Sequence, residues 1–278
     1  MELDFYKVQA CHNDFVLVNY VYRGAAPPDD VLPRLSRAVC DRRVGVGANG
    51  VVFLNRGTEH AARVSVLGPD GVPARLYNDA LLCVGRVAFD SGLSGDKKIV
   101  LECHDGARNL DFIDSSHFRV AVGQPKSYPD RGDLRERPNA EYQQSIDIDG
   151  KRLSITPISL QTDAAVLFSD ELGGSKVRRL SEEVRKIGLK PVFCSVYSKD
   201  EIAISASFRG GSVDFSSAAA QATVASVVDG FTERDVVVHC NRGDLYVQWT
   251  ESPNDVLVTG SAEYVFSGTF YFDEDKEE

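Results

Sequence analysis

The chain has 278 residues, 43% of them apolar and 26% charged, with a formal net charge of −10. This composition is typical of a protein with a buried core, and no apolar run approaches the roughly 20 residues of a membrane helix. Lysine and arginine do not cluster, so we expect no nucleic-acid partner and no membrane partner. The acidic N-terminus has no apolar signal region, which predicts a cytoplasmic protein.

Short strands and four helices alternate along the chain. The predicted strands occupy residues 15–18, 50–54, 62–67, 99–102, 118–122, 154–158, 165–168, 192–197, 202–208, 235–238 and 245–249. The predicted helices occupy residues 30–42, 79–91, 176–187 and 216–229. The helices at 79–91 and 216–229 are apolar on nearly every side, which indicates that each is buried and wrapped by strands.

The order of these elements indicates an internal duplication. Tyr77 and Ser217 stand at the starts of the two apolar helices, separated by about half the chain length. The predicted fold class is therefore α/β, with two pseudo-symmetric lobes that each hold a curved sheet around a central helix. We place the N-terminal lobe at residues 1–123 with 266–278 and the C-terminal lobe at 124–265. Helix N-termini lining a cleft between the lobes would favour an anion, because their N–H groups and dipoles point into it.

The six cysteines show no metal-binding spacing. They are Cys11, Cys40, Cys83, Cys103, Cys194 and Cys240. No two of them form a CxxC pair, and most have apolar neighbours, as is typical of buried reduced thiols. The sequence therefore predicts no metal site.

Several motifs, in the right order along nearly the whole chain, resemble those of the diaminopimelate epimerase family. Lys7–Phe15, KVQACHNDF, resembles the family's opening HGLGNDF, and Cys40–Gly50, CDRRVGVGANG, is close to its CDRxxGIGADG. Asn241–Leu245 with Trp249 resembles GGDL…W, and Gly260–Phe266 resembles GPA…VF. The resemblance implies a fold of two similar lobes, a homodimer and no cofactor.

Both catalytic cysteines of that family are replaced in this chain. In the family the thiols begin the runs CGNG and CGTG; one thiolate removes the substrate α-proton and the other thiol returns one on the opposite face. Here the matching runs are YNDA from Tyr77 and SAAA from Ser217. Neither tyrosine nor serine is a comparable base at pH 7. We therefore do not expect two-thiol epimerisation of an amino acid.

Other positions that bind substrate in the family have also changed. Family asparagines correspond to Gly68 and Val192 here, a glutamate corresponds to Phe208, and the GNPH segment becomes the QTDA segment that contains Thr162. Most of these exchanges replace a polar group by an apolar one. The ligand that we expect is a small molecule, bulkier or more apolar than a free amino acid.

The candidate catalytic residues are Tyr77, Asp79 and His12. Tyr77 could be a base or hydrogen-bond donor if a cation made its hydroxyl more acidic, or it could simply fill the cleft. Asp79 could be a general base or the N-cap of its helix. His12 has a side chain of the kind used in acid–base catalysis, and it precedes Asn13, whose family counterpart touches the substrate. Cys11 would point away from His12 if this segment is an extended strand.

Seven candidate residues could bind the substrate: Asn13, Asn78, Thr162, Phe208, Arg209, Asp214 and Ser217. Arg209 matches an arginine of the family and could bind an anion or hold a loop. Asp214 has the same alternatives as Asp79, and both carboxylates would repel an anionic substrate. For Ser217, helix capping is a better interpretation than nucleophilic catalysis, because the sequence offers it no evident histidine partner.

Two functions of different classes remain open. The first is a cofactor-independent isomerase, epimerase or cyclase acting on a bulky specialised metabolite in biosynthesis. The second is a pseudoenzyme that keeps the fold to bind a ligand or a partner subunit. An open cleft would favour the enzyme, whereas a cleft filled by Tyr77 and Phe208 would favour the pseudoenzyme.

Overall fold

The computed structural model describes residues 1–22, 24, 26–74, 78–93, 97–134, 142–148, 151–206, 213–240 and 243–273. All four predicted helices are present: α1 Leu32–Cys40, α2 Asn78–Asp90, α3 Gly174–Lys186 and α4 Phe215–Val228. None of the helices in these residues is long and apolar enough to cross a membrane.

The described residues also form seventeen strands. The first seven are β1 Glu2–Ala10, β2 Asn13–Asn19, β3 Val51–Arg56, β4 Ala62–Leu67, β5 Lys98–Cys103, β6 Gly106–Phe112 and β7 His117–Gly123. The next five are β8 Lys126–Ser127, β9 Gln144–Ile148, β10 Lys151–Leu160, β11 Thr162–Phe168 and β12 Lys190–Val196. The last five are β13 Glu201–Ala206, β14 Asp235–Cys240, β15 Gly243–Trp249, β16 Val256–Ser261 and β17 Glu263–Tyr271.

The chain forms two compact units. The first unit comprises Met1–Val120 with Gly260–Glu278, and the second comprises Ala121–Thr259. The divisions fall within β7 and β16, a few residues from the lobe boundaries expected from the sequence. The first unit includes β17, which pairs antiparallel with β1 from Glu2–Tyr271 to Gln9–Glu263.

The two units repeat one series of strand pairings, which confirms the predicted duplication. From β1 to β7, successive pairs are antiparallel, parallel, antiparallel, parallel, antiparallel and antiparallel. The strands from β10 to β16 follow the same series. Each parallel pair needs a crossover connection, and α1 and α2 in the first unit and α3 and α4 in the second supply it.

The central helix of each repeat is buried on nearly all sides, as its apolar sequence predicts. Every residue of α4 from Ser216 to Ser226 is buried, and the helix packs against all six strands from β10 to β15. Helix α2 contacts β1, β2 and β6. Its Gly85 lies so close to β7 that an added Cβ would be 2.7 Å from the Phe118 ring. The amphipathic helices α1 and α3 cover other parts of the sheet with one apolar face each.

Several strands are absent from the sequence-based prediction, and β17 shows why. Seven of its nine residues are exposed and two are intermediate, so it has no buried face to give an alternating apolar pattern. Its backbone pairing with β1 holds it in place instead. Pairing with a distant strand leaves little local signal in the sequence.

Candidate functional site

The turn between β1 and β2 consists of Cys11 and His12. Both have positive φ angles, 50° and 60°, so the expectation of an extended strand at this point is wrong. A two-residue hairpin turn of this kind needs left-handed backbone at both positions, because that twist matches the twist of the strands. The backbone N–H of His12 donates to Gln9 Oε1 at 2.9 Å. The turn leaves Cys11 buried and His12 exposed directly before Asn13.

Asn13 and Asp79, both predicted site residues, meet at the start of α2. Asn13 is the first residue of β2, and its Nδ2 donates to Asp79 Oδ2 at 3.2 Å. Helix α2 begins at Asn78, so Asp79 is its second residue. Asn13, Asn78 and Asp79 are at most 2% exposed. A carboxyl group this deeply buried requires hydrogen-bond partners, and Asn13 is one of them.

A chain of polar side chains continues from Asn13 toward the surface. Asn49 Nδ2 donates to Asn13 Oδ1 at 2.6 Å, and Asn49 Oδ1 accepts a hydrogen bond from Arg42 at 2.8 Å. The Arg42 guanidinium also donates to both carboxylate oxygens of Asp14, at 2.7 and 3.1 Å. The chain links an exposed arginine to the buried Asp79.

Asp14 also forms an ion pair with Lys7, a buried residue of β1. Its Nζ donates to Asp14 Oδ2 at 2.5 Å and to the backbone carbonyl of Gly47. Burial alone would raise the pKa of Asp14, but the hydrogen bonds and charges of Arg42 and Lys7 lower it below its ordinary value. Asp14 is therefore a carboxylate at neutral pH.

Sequence reasoning missed four residues of this network of hydrogen bonds and ion pairs: Lys7, Asp14, Arg42 and Asn49. All four lie within the two segments, Lys7–Phe15 and Cys40–Gly50, that indicate the fold. The signal that could have identified the network was the presence of charged residues, Lys7, Asp14 and Arg42, within these two motifs.

Two of the buried thiols near these residues, Cys83 and Cys40, are not bases at neutral pH. Burial raises the pKa of Cys83 well above its ordinary value, and the negative charge of Asp79 adds to this effect. Burial likewise raises the pKa of Cys40 to about 11. Cys83 therefore does not substitute for the missing thiol at position 77.

In the second unit, Asp214 and Ser217 form a local pair at the start of α4. Asp214 is the N-cap of the helix, and its Oδ1 accepts a hydrogen bond from the Ser217 backbone N–H at 3.3 Å. The Ser217 hydroxyl donates to Asp214 Oδ2 at 2.6 Å and lies 3.4 Å from Gln161 Oε1. The carboxylate thus occupies the helix N-terminus, a position where an anionic ligand could otherwise bind.

Thr162 holds the position in the second repeat that Asn13 holds in the first. It is the first residue of β11 and follows Gln161, which has a positive φ of 58°. Gln221 of α4 donates from Nε2 to the Thr162 carbonyl at 2.8 Å and to the Leu160 carbonyl at 3.2 Å. These contacts tie the β10–β11 turn to the central helix.

Three predicted site residues, Tyr77, Phe208 and Arg209, lie outside the described residues. Within the described part of the chain, no group of three or more His, Cys, Asp or Glu residues could hold a metal ion. A cavity of about 710 Å³ in the first unit is lined by residues of β1, β2 and β17 and of the segment after β2, including Asp4 and Tyr20, and by none of the predicted site residues.

The fold is shared with solved structures of epimerase and isomerase type. A probable proline racemase from Agrobacterium radiobacter K84 aligns with a TM-score of 0.69 at 14% identity, covering 98% of this chain and 94% of its own. A PhzF-family phenazine biosynthesis protein from Enterococcus faecalis also gives 0.69, at 13% identity and with 98% and 100% covered. A methylitaconate-delta-isomerase gives 0.62 at 10% identity, with 97% and 95% covered. The chain therefore shares its α/β fold with these proteins.

Sequence comparison makes the resemblance more specific. The diaminopimelate epimerases of Desulfitobacterium hafniense and Moorella thermoacetica are each 27% identical to this chain over 282 residues. The alignments cover 98% of this chain and 99% and 100% of theirs. No protein-family model matches the chain. The chain resembles the diaminopimelate epimerases over its whole length, with Tyr77 and Ser217 in place of the two cysteines.

Proposed function

We propose that this protein is a cofactor-independent isomerase, epimerase or cyclase that uses Asp79 as the acid–base residue of its first unit. Its substrate is a bulky specialised metabolite other than a free amino acid. A homodimer and a role in biosynthesis belong to the same proposal. The observation that carries it is the continuous hydrogen-bonded chain from Arg42 to the buried Asp79.

The cost of burying Asp79 supports a functional role. A carboxylate removed from water costs several kcal/mol unless it is paired and hydrogen-bonded. If the site had only lost an old activity, an apolar residue at position 79 would stabilise the protein as well or better. This chain instead has an ionisable group there, two residues after the position of the lost thiol, where the family motif has asparagine.

The second unit supports a change of substrate class. At the start of α4, Asp214 already uses the helix N-terminus and the Ser217 hydroxyl. A substrate carboxylate would meet a negative charge there instead of unoccupied N–H groups. We propose that Ser217, Asp214 and Thr162 bind neutral or hydrogen-bond-donating groups of the ligand.

The pseudoenzyme remains the alternative, and one observation favours it. Asp79 is fully buried and Asn78 is 1% exposed among the described residues. A group without accessible surface reaches a substrate only if neighbouring side chains move. In this alternative the chain from Arg42 to Asp79 is structural and the protein only binds a ligand or partner subunit.

Deuterium incorporation from solvent separates the two functions. A metabolite extract in deuterium oxide would be incubated with the wild-type protein, with Asp79→Asn and with Asp90→Asn, which removes a surface carboxylate from the same helix. The enzyme should produce metabolites one mass unit heavier with the wild type and Asp90→Asn, and none with Asp79→Asn. No incorporation with any of them, together with a retained small molecule, would favour the pseudoenzyme. Exchange of the α-hydrogens of diaminopimelate would overturn the proposed change of substrate.

A further inference from the structure

The hydrogen bonds that connect Arg42 to Asp79 are all donated in one direction, from Arg42 toward Asp79. A guanidinium group donates hydrogen bonds and never accepts them. Because Arg42 donates to Asn49 Oδ1, the Asn49 NH2 group faces the other way, toward Asn13. Asn13 then presents its oxygen to Asn49 and its NH2 group to Asp79.

The Arg42 guanidinium, which begins this series of hydrogen bonds, is itself held in place. Arg42 makes two parallel hydrogen bonds to Asp14, a geometry that sets the plane of the guanidinium. Lys7 holds the same carboxylate from the buried side. The oxygen and nitrogen of an asparagine amide are ordinarily hard to tell apart, but an anchored donor at one end settles both amides in turn.

We propose that Arg42 and Asn49 are positioning residues that, through Asn13, hold Asp79 as a carboxylate, so that the first unit takes a proton from the ligand. This inference rests on the proposed function of Asp79 and adds the direction of proton transfer. A C–H bond of the ligand breaks, its electron pair stays on the ligand, and the proton moves to an Asp79 oxygen. Asp79 exchanges its proton with solvent and then donates a proton to another atom of the ligand, which completes an isomerisation without a co-reactant.

Three other ionisable groups beside the relay Arg42–Asn49–Asn13–Asp79 are not available for this role. Cys83 is on the same helix and stays a neutral thiol, because burial raises its pKa. Lys7 has its ammonium on Asp14, so its positive charge is already paired there. Asp14 is occupied by two cations.

Two differences from the family motifs agree with a carboxylate that has moved from one side of Asn13 to the other. The family motif GADG has aspartate where this chain has Asn49, and CGNG has asparagine where this chain has Asp79. In this structure the two positions are the two neighbours of Asn13 along the relay. The paired exchange keeps one carboxylate beside Asn13 but moves it from position 49 to position 79.

Carbon-13 NMR of aspartate-labelled full-length protein tests the inference directly. The Asp79 carboxyl signal is identified by its loss in Asp79→Asn, and its titration midpoint is then measured in the wild type and in variants. Asn49→Leu removes the middle of the relay without changing any charge. Asn13 can then turn its oxygen toward Asp79, so the hydrogen bond from its NH2 group to the charged carboxylate is lost and the midpoint should rise by about one to two pH units.

Substitutions at Arg42 test the outer end of the relay. Arg42→Lys keeps a donor-only cation and should leave the midpoint near that of the wild type, whereas Arg42→Gln removes the charge, can accept as well as donate, and should raise it. Asn49→Leu, which changes no charge, is the variant that isolates the direction of donation. Arg63→Gln, which removes a different arginine from an ion pair with Glu102 in the same unit, should have no effect.

Two outcomes would overturn the inference: an Asp79 carboxyl that is protonated at neutral pH in the wild type, or a midpoint unchanged in both Asn49→Leu and Arg42→Gln. If Asn49→Leu does not fold, Arg42→Gln decides the matter, because the Arg42 side chain is 58% exposed. These titrations require no turnover. They can therefore fail while the deuterium experiment succeeds, or succeed while it fails.

Discussion

The two units place an aspartate at the same point of their repeat but surround it differently. Asp14 is the second residue of β2, and Asp163 is the second residue of β11. Asp14 pairs with the buried Lys7 as well as with Arg42. Asp163 pairs with Arg131, whose side chain is 56% exposed. The same topology therefore supports a buried charge network in one unit and a surface ion pair in the other.

The starts of the central helices differ in the same sense. In α2, Asp79 interacts with Asn13, which is 66 positions away in sequence. In α4, Asp214 interacts with Ser217, three positions away. The first unit thus links its helix start to a distant strand, whereas the N-cap carboxylate of the second unit bonds to a residue of the same helical turn. Changes at the buried network should therefore cost more than the matching changes in the second unit.

Removal of the two equivalent aspartates should give the largest contrast. Asp14→Ala leaves the Lys7 ammonium buried without its carboxylate and should lower the free energy of unfolding by about 3–5 kcal/mol. Asp163→Ala removes the partner of Arg131, which is already exposed to solvent, and should lower the free energy of unfolding by no more than about 1 kcal/mol. Urea denaturation of both variants measures the difference, and equal losses would contradict the contrast.

The contribution of Asp14 should also depend on pH in a defined direction. Its pKa is lower in the folded protein than its ordinary value of 3.8. Its stabilising effect is therefore present above that ordinary value and is lost as pH falls through the folded pKa. The stability difference between the wild type and Asp14→Asn should be largest near neutral pH and should shrink below about pH 4.

In α2 the addition of one methyl group should destabilise the protein, whereas in α4 the removal of one methyl group should do so. Gly85→Ala in α2 puts a Cβ against the Phe118 ring and should destabilise by about 1–3 kcal/mol despite the better helix propensity of alanine. Ala225→Gly in the fully buried α4 removes a packed methyl and should cost about 1–2 kcal/mol. Thermal unfolding of both variants tests this, and a stabilised Gly85→Ala protein would show that α2 has room to move.

A smaller effect is expected at the helix cap of the second unit. Asp214→Ala removes the acceptor of the Ser217 N–H and should cost about 1 kcal/mol, the usual value of an N-cap. Asp214→Asn retains an oxygen that can accept this hydrogen bond and should cost less. If both variants unfold at the wild-type denaturant concentration, the cap does not contribute to stability.

The smallest effect should come from His239 in the second unit, with a pH dependence opposite to that of Asp14. Its two ring nitrogens lie 2.8 Å from Asp244 and 2.7 Å from Glu201, and hydrogen bonds to these carboxylates raise its pKa. Its contribution is present below the ordinary value of 6.5 and is lost as pH rises through the raised pKa. Because the site is partly exposed, His239→Gln should cost only about 0.5 kcal/mol at pH 5 and less at pH 9. A larger loss at pH 9 would contradict this.

The helices and the duplication could be predicted because their signals are local. All four helices lie within about two residues of the predicted bounds, since apolar periodicity and turn residues act over short stretches. The motifs then identified the superfamily fold. The strand β17 was missed because it is exposed and depends on a partner at the other end of the chain.

The relay could not be predicted, because its members meet only after the strands pair. Asn13, Asn49 and Asp79 are far apart in sequence, and nothing near any of them specifies the other two. The Cys11–His12 turn shows the same limit on a smaller scale. Its left-handed backbone follows from the hairpin that encloses it, because histidine is enriched in this conformation but cysteine is not.

The pairing of β17 with β1 sets an order for folding during synthesis. The second unit is one continuous stretch and can collapse as soon as residue 259 has emerged from the ribosome. The first unit begins to emerge earlier, but β1 can pair with β17 only after the whole second unit has been synthesised. A contact between such distant residues closes slowly, because the loop entropy must be lost before the pairing is gained. The half of the protein that emerges first is therefore the half that is completed last.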